Sequence, residues 1–423
     1  VKYLRNYGWE PILYIPQNPE YPEIDSSLGK EIPERIKVYS HPIWEPYSWY
    51  KKFTGKDRKM RIKPQVVMEK DATIAQKISI FIRGNFFIPD ARKYWIKPSV
   101  RYLSHLLKTD KIDAIFSTSP PQSVHLIAMK LSEKCNIPWL ADFRDPWTKI
   151  SYFEKLYLTK SAKNLHLSLE KKVLQSAGEV VTVSSSLAKD FQVIGKRKVH
   201  VVTNGFDGEI AEPNSKADIF SLTYIGTLTQ SRVPENFWNM LADCVKSDEQ
   251  IAKKFSLTML GNIEEQVFES TAKAGLQPYL QRMEYLPHDQ VLETLRNSFA
   301  LLLFGIPNDK GVLTGKVFEY MQSTRPILSV SPAKGDLEAI LEETKTGFNA
   351  DYDEPEKVKN NVLKLIEMFK TNEKWEPDIS KIKLYSRAKT TEKLASILDK
   401  MVSCYDSNLE DCSTLQLQRS DIF

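Results

Sequence analysis

The feature that most constrains this chain is a run of six apolar residues, Phe299-Ala-Leu-Leu-Leu-Phe304. A loop follows, then Thr314-Gly-Lys-Val-Phe-Glu-Tyr-Met321, then Arg325-Pro-Ile-Leu-Ser-Val330. The pattern reads as buried strand, loop, helix start and next strand. Thr314 is a candidate N-cap, and Gly315 lets a ligand approach the backbone. The free N–H groups of such a turn attract anions. Lys316 and Glu319 are three apart and share one helical face, while Val317, Phe318 and Met321 can face the core. Cation, carboxylate and bare amides at one turn suit a nucleotide sugar, with amides and Lys316 on the diphosphate and Glu319 on the ribose. An ordinary helix start with a surface ion pair accounts for the same residues.

A length of 423 residues with 42% hydrophobic content supports two or three domains with sizeable cores. The net charge of +5 is too small to argue for nucleic acid. Cys135, Cys244, Cys404 and Cys412 form no C-x-x-C pair, so no zinc site or disulfide framework is indicated and a reducing cytoplasm is expected. No stretch approaches the ~18 apolar residues of a membrane span, and no signal peptide is apparent. Val1 to Gly8 reads as a helix already under way, feeding a strand at Pro11–Pro16. The strand that should precede such a crossover helix is not in the sequence, so a truncated start is expected.

In the first half, Ile36–Tyr39 is a short strand. Lys51 to Lys63 holds seven basic residues against one Asp. This is either a patch for an anionic membrane surface or lipid-diphosphate acceptor, or a solvated insertion. Residues 71–87 have helical apolar spacing and suit an amphipathic helix that packs on its own domain or lies on a membrane. A helix is expected over 98–107 and a strand over 112–117. Ser119-Pro-Pro-Gln122 then reads as a capping box, with Ser119 as N-cap. His125 falls in the first helical turn, as a structural residue or one aimed at a ligand. Ile137 to Trp147 is an apolar strand ending in Asp142, Arg144 and Asp145, three charges where an open α/β sheet carries its chemistry. A salt bridge that shapes the turn is the alternative. A helix over 152–175, strands at 178–184 and 198–203, and a polar stretch at 207–219 complete this half.

The pattern then restarts. Ser221-Leu-Thr-Tyr-Ile-Gly226 is a strand ending in glycine, followed by Thr227 and Arg232 before a new helix. Gly226 permits close approach to a phosphate, and Arg232 can pair with one bidentately. Strands at 257–261 and 282–287 and helices at about 288–296, 338–342, 355–369 and 386–401 follow. Two βα-alternating halves predict two parallel sheets, each covered by helices. The expected boundaries are 1–207 and 218–385 for two Rossmann-like domains facing a cleft, 386–402 for a C-terminal helix, and 403–423 for a disordered tail.

Several elements together resemble the retaining glycosyltransferases of family 4, of the GT-B fold. They are Ser119-Pro-Pro121, Ala141-Asp-Phe-Arg-Asp-Pro-Trp147, Thr203-Asn-Gly-Phe-Asp207, Tyr224-Ile-Gly-Thr227, and Lys316-Val-Phe-Glu-Tyr-Met321 with Arg325-Pro-Ile327. The likeness runs from Val1 to about Met401 and is nearest to bacterial enzymes that build surface polysaccharide or lipopolysaccharide. It implies an α/β chain whose C-terminal domain binds a nucleotide-diphosphate sugar and whose N-terminal domain binds the acceptor. Donor contacts fall on Gly226, Thr227, Arg232, Thr314, Gly315, Lys316 and Glu319. Asp142, Arg144 and Asp145 face the reacting sugar, with Ser119 and His125 on the acceptor side. No metal or other cofactor is implied, because cations and helix dipoles can stabilise the leaving diphosphate. The expected partners are a nucleotide sugar and a glycan or lipid-linked acceptor, with peripheral contact to anionic membrane through residues 51–63. The family's paired glutamates lie eight positions apart, and the earlier position is Gly311 here. The basic residue usual after the strand glycine is Thr227. The alternatives are a catalytically degenerate sugar-nucleotide-binding subunit and a nucleotide-sugar epimerase of the same fold.

Overall fold

The computed structural model describes residues 1–19, 32–45, 74–212, 218–284 and 286–420. The basic segment 51–63 lies outside the described residues. Contacts divide the chain into two units. The first comprises Val1–Val183, Leu187–Val202 and Thr391–Phe423; the second comprises Ser184–Ser186 and Thr203–Thr390.

The first unit opens on a single 3-10 turn, Leu4–Tyr7, shorter than the helix expected there. Gly8 ends it in the left-handed conformation (φ 79°). Strands β1 (Ile12–Pro16) and β2 (Lys37–His41) pair in parallel as a separate two-stranded sheet. Helices α1 (Ile74–Phe86), α2 (Ile96–Leu106), α3 (Ser123–Cys135), α4 (Lys160–Ser176) and α5 (Ser185–Gly195) follow. A four-stranded parallel sheet runs in the order β3 (Ile115–Ser119), β4 (Trp139–Phe143), β5 (Glu179–Thr182), β6 (His200–Val201). All five residues of β4 are buried, as a strand covered by helices on both faces requires.

The second unit holds a six-stranded parallel sheet. Its strands are β7 (Phe220–Ile225), β8 (Phe255–Leu260), β9 (Leu280–Met283), β10 (Ala300–Phe304), β11 (Ile327–Val330) and β12 (Gly347–Ala350). Their order is β12-β11-β10-β7-β8-β9. The chain winds outward from β7 to β9, then restarts at β10 on the other side of β7. Helices α6 (Phe237–Lys246), α7 (Glu249–Lys254), α8 (Glu265–Lys273), α9 (His288–Asn297), α10 (Gly315–Gln322), α11 (Asp336–Thr344), α12 (Pro355–Thr371) and α13 (Ile379–Lys383) complete the unit. Strand β12 was not expected, because Gly-Phe-Asn-Ala lacks both an apolar run and regular alternation.

The final helix α14 (Arg387–Ser420) extends past the expected end near residue 402, through the segment expected to be disordered. From Thr391 onward it belongs to the first unit. Ile397, Leu398 and Met401 pack with Leu140, Val181 and Val202 in one buried cluster. Trp9 Nε1 donates to Asp399 at 2.8 Å. Replacing the buried Leu398 by Ala removes apolar contacts that close this core, so Leu398→Ala is expected to lower the unfolding free energy by about 2–4 kcal/mol in urea titration.

Candidate functional site

The sheet of the second unit changes winding direction between β7 and β10, and ligands of open α/β sheets bind where the carboxyl ends of the strands diverge at such a point. The residues there come from the loop after β7 and the first turn of α10.

Gly226 follows β7 with φ 103°, a conformation that favours glycine. A Cβ at this position would lie 2.5 Å from Lys316 Cε, so the missing side chain is the space that Lys316 uses. Gly261 after β8 (φ 111°) packs as tightly, since its Cβ would stand 2.9 Å from the Gly226 carbonyl. Lys316 Nζ donates to Tyr224 Oη at 2.6 Å and to the Thr227 carbonyl at 3.1 Å. It also lies 4.4 Å from the Tyr224 ring centroid, a cation–π contact. Tyr224 Oη donates in turn to the Thr227 carbonyl at 2.7 Å. Tyr320 on α10 takes the Ile225 N–H at 2.9 Å and ties helix to strand.

Burial, helped by the Arg232 charge and opposed by that of Glu319, lowers Lys316 to about 7. The Arg232 side chain has no hydrogen bond or ion pair among the described residues. Its carbonyl accepts from Tyr352 Oη, which also donates to the Gly305 carbonyl. Two cations therefore share a desolvated corner with one carboxylate. The Glu319 carboxylate likewise makes no hydrogen bond or ion pair among the described residues. Burial raises it above its ordinary range, against the opposing charges of His288, Arg387 and Lys316. Gly315 is exposed, and a Cβ there would meet nothing within 4 Å. Thr314 holds the N-cap position with extended backbone, but its hydroxyl makes no cap hydrogen bond and is buried without a partner. The expected side-chain cap is thus not formed; Val317 N–H donates to the Thr314 carbonyl at 3.3 Å, and the Gly315 and Lys316 amides have no partner among the described residues. The arrangement can bind an anion between Arg232, Lys316 and the helix start, and a hydroxyl donor at Glu319.

The structure brings these donor-side residues together. The first unit changes the reading of several others. Ser119 ends β3, and its hydroxyl is buried with no partner. It does not cap α3, which begins at Ser123. Asp90 does so instead, accepting from Ser123 N at 2.7 Å and Ser123 Oγ at 3.0 Å across 33 residues. His125 is wholly buried. Trp139 Nε1 donates to Ser117 Oγ, and the Ser117 hydroxyl is left to donate to His125 Nδ1 at 2.8 Å. Burial lowers His125 to about 3, and its ring packs on Phe143 at 4.4 Å. Both acceptor-side candidates are core residues, enclosed because the strands and helices around them exclude solvent.

Asp142 also lies inside β4 and is buried. Its Oδ2 accepts from Thr118 Oγ1 at 2.9 Å and from Arg144 Nε at 2.7 Å, while Oδ1 has no partner. Burial raises its pKa, and the Arg144 charge opposes that. The Asp142 side chain is 1% exposed and that of its partner Arg144 is 33% exposed. Asp145 is exposed beside it. Sequence reasoning missed Asp90, Tyr224, Tyr320, Tyr352, His288 and Arg387 as parts of these sites. The tyrosines sit in strand or helix patterns where an aromatic reads as core, and only their hydroxyl partners reveal the second role.

The family model Glycosyltransferase Family 4 matches residues 58–209. No curated protein matches the chain. Among solved structures, sucrose-phosphate synthase from Thermosynechococcus elongatus superposes with a TM-score of 0.60 at 11% identity, covering 95% of this chain and 92% of that one. A glycosyltransferase from Rickettsia africae ESF-5 gives 0.55 at 13% identity with the same coverages of 95% and 92%. S. aureus TarM, solved with fondaparinux, alpha-GlcNAc-glycerol and UDP, gives 0.51 at 12% identity over 71% of this chain and 58% of that one. The fold is that of the GT-B glycosyltransferases.

Gly226→Ala fills the space that Lys316 occupies in a backbone conformation hostile to a side chain. Binding of a nucleoside diphosphate, measured by calorimetry, is expected to weaken by about tenfold or more, with the thermal midpoint as the control for folding. Because Lys316 is held near 7, an anion that pairs with it takes up a proton above that pH. Affinity is expected to be flat below pH 7 and to fall as pH rises above it. Calorimetry at pH 8 in two buffers of different ionisation heat reads this as net proton uptake, which Lys316→Met should abolish.

Proposed function

We propose that this chain is a glycosyltransferase that takes a sugar from a nucleotide-diphosphate donor. The observation that carries the reading is the meeting of Arg232, Lys316, the open start of α10 and the unpaired Glu319 carboxylate at the β7/β10 switch point. Two cations and a helix N-terminus can cradle a diphosphate, and a carboxylate on the same face of α10 suits vicinal ribose hydroxyls. The TarM structure holds UDP, which is in keeping with a nucleotide donor for a chain of this fold.

Transfer breaks the bond between the anomeric carbon and the diphosphate oxygen. Negative charge grows on the leaving diphosphate, and in this reading Arg232, Lys316 and the α10 dipole stabilise it. No metal is needed for this stabilisation in our reading. The hydroxyl of a glycan or lipid-linked acceptor bonds to the anomeric carbon with net retention and gives up its proton to the departing diphosphate. The role we assign is bacterial surface-polysaccharide synthesis on the cytoplasmic side of the membrane. Among the described residues, no helix is long and apolar enough to cross a membrane.

A donor panel of uridine, adenosine, guanosine and thymidine diphosphate sugars, read by release of nucleoside diphosphate, tests this. Lys316→Ala and Glu319→Ala are each expected to lower release by about 100-fold on the preferred donor. Wild-type release from either variant would refute the site. Gly311, whose N–H bonds Asp309 Oδ1 at 3.1 Å, supplies no carboxylate to the loop after β10. Tight donor binding with no release on any acceptor would favour a sugar-nucleotide-binding subunit instead.

A further inference from the structure

Among the described residues, the apolar face of helix α1 is exposed. Ile74 is 78% exposed, Ile78 55%, Ile82 44% and Phe86 61%, and Phe81 is exposed beside them. At about 100° per residue these side chains fall within one arc of about 140°. The opposite face holds the helix to its unit through buried Ile80 and Gly84. A Cβ on Gly84 would lie 2.8 Å from the Leu156 carbonyl and from Leu158 Cδ2. Asn85 adds hydrogen bonds to the Tyr157 carbonyl and the Thr159 N–H. The exposed face is therefore rigidly presented.

An aromatic cluster abuts the end of this helix. Lys93 Nζ donates to the Phe86 carbonyl, and the same ammonium lies 5.0 Å from the Tyr94 ring centroid and 5.8 Å from that of Phe87. Trp44, 53% exposed, meets Tyr94 edge-on at 5.2 Å. The flanking charge is mainly positive; Glu45, beside Trp44, is paired with Arg92 at 2.9 Å. From Ile74 to Lys108 the sequence carries seven Lys and Arg and one acid, Asp90, which is spent on capping α3. Lys77 and Lys97 are exposed.

We propose that this face of α1, with Trp44 and Tyr94, docks on an anionic lipid surface. Thirteen residues span about 20 Å, too short to cross a bilayer but suited to lying in its interface. Exposed Ile and Phe enter the acyl boundary, Trp and Tyr sit at headgroup level, and lysines meet lipid phosphates. The excess of positive charge along this stretch disfavours a second copy of this chain, whose own lysines would face it. The inference does not rest on the transfer activity and is separate from residues 51–63.

The test is co-sedimentation of the full chain with phosphatidylglycerol-containing vesicles and with pure phosphatidylcholine vesicles, at low and high salt. Binding is expected to the anionic vesicles, weakened by salt, and reduced by roughly tenfold or more in Ile78→Asp/Phe81→Asp. No binding at low salt overturns the proposal. So does full binding by the double variant, which would assign the contact to other basic residues. A wild-type dimer that this variant converts to monomer without change in lipid binding assigns the face to self-association and also overturns it. If the variant does not fold, brominated phosphatidylglycerol added to the wild type decides. It should quench the part of the fluorescence lost in Trp44→Phe, and absence of that quenching sinks the idea.

Discussion

The second unit depends on β10. All five of its residues are buried between two parallel neighbours. The strand's period of two sends Ala300, Leu302 and Phe304 into one core and Leu301 and Leu303 into the other. A strand with two apolar faces must be covered by helices on both sides, and parallel order follows from the crossovers that supply them. Because β10 restarts the sheet beside β7, the loops after these two strands diverge. That divergence opens the place where Gly226, Arg232 and α10 meet. The candidate site thus follows from how the chain finds partners for one hydrophobic strand.

The two units treat buried charge differently. Asp142 and Arg144 are paired at 2.7 Å inside a hydrogen-bonded turn, so that charge is compensated within the protein. Lys316 and Arg232 share a desolvated corner in which the nearby carboxylate makes no ion pair with either. Like charges held together in low dielectric raise the free energy of the empty site. An incoming diphosphate relieves this, which is why such an arrangement points to a ligand rather than to stability.

Much of the secondary structure was legible. Gly8 as a helix stop, β7 to β11, and helices α1, α6, α10 and α12 all follow from apolar period, glycine and proline position. The errors share a cause. Ser119 and Thr314 both precede helices and have capping side chains, yet neither caps; a carboxylate 33 residues from Ser123 takes the first role. His125 was legible as a first-turn residue, structural or aimed at a ligand; the choice between them depends on Trp139 and Phe143 from the next strand, which enclose it. Asp142 stands near the strand's end in sequence, where solvent is expected, yet β4 continues through Phe143 and encloses it.

By itself the sequence determined that this chain forms two parallel α/β units and that a cation, a carboxylate and a glycine recur at strand-to-helix turns. These are local properties, set by the spacing of apolar residues and the backbone freedom of glycine. Tertiary structure alone decided which of the polar residues face solvent. It placed the last helix with the first unit and set Lys316 in the space over Gly226, 90 positions away in the chain. Among the described residues it also left one face of α1 exposed. Each of these rests on contacts between segments far apart in sequence, whose energies no local pattern records.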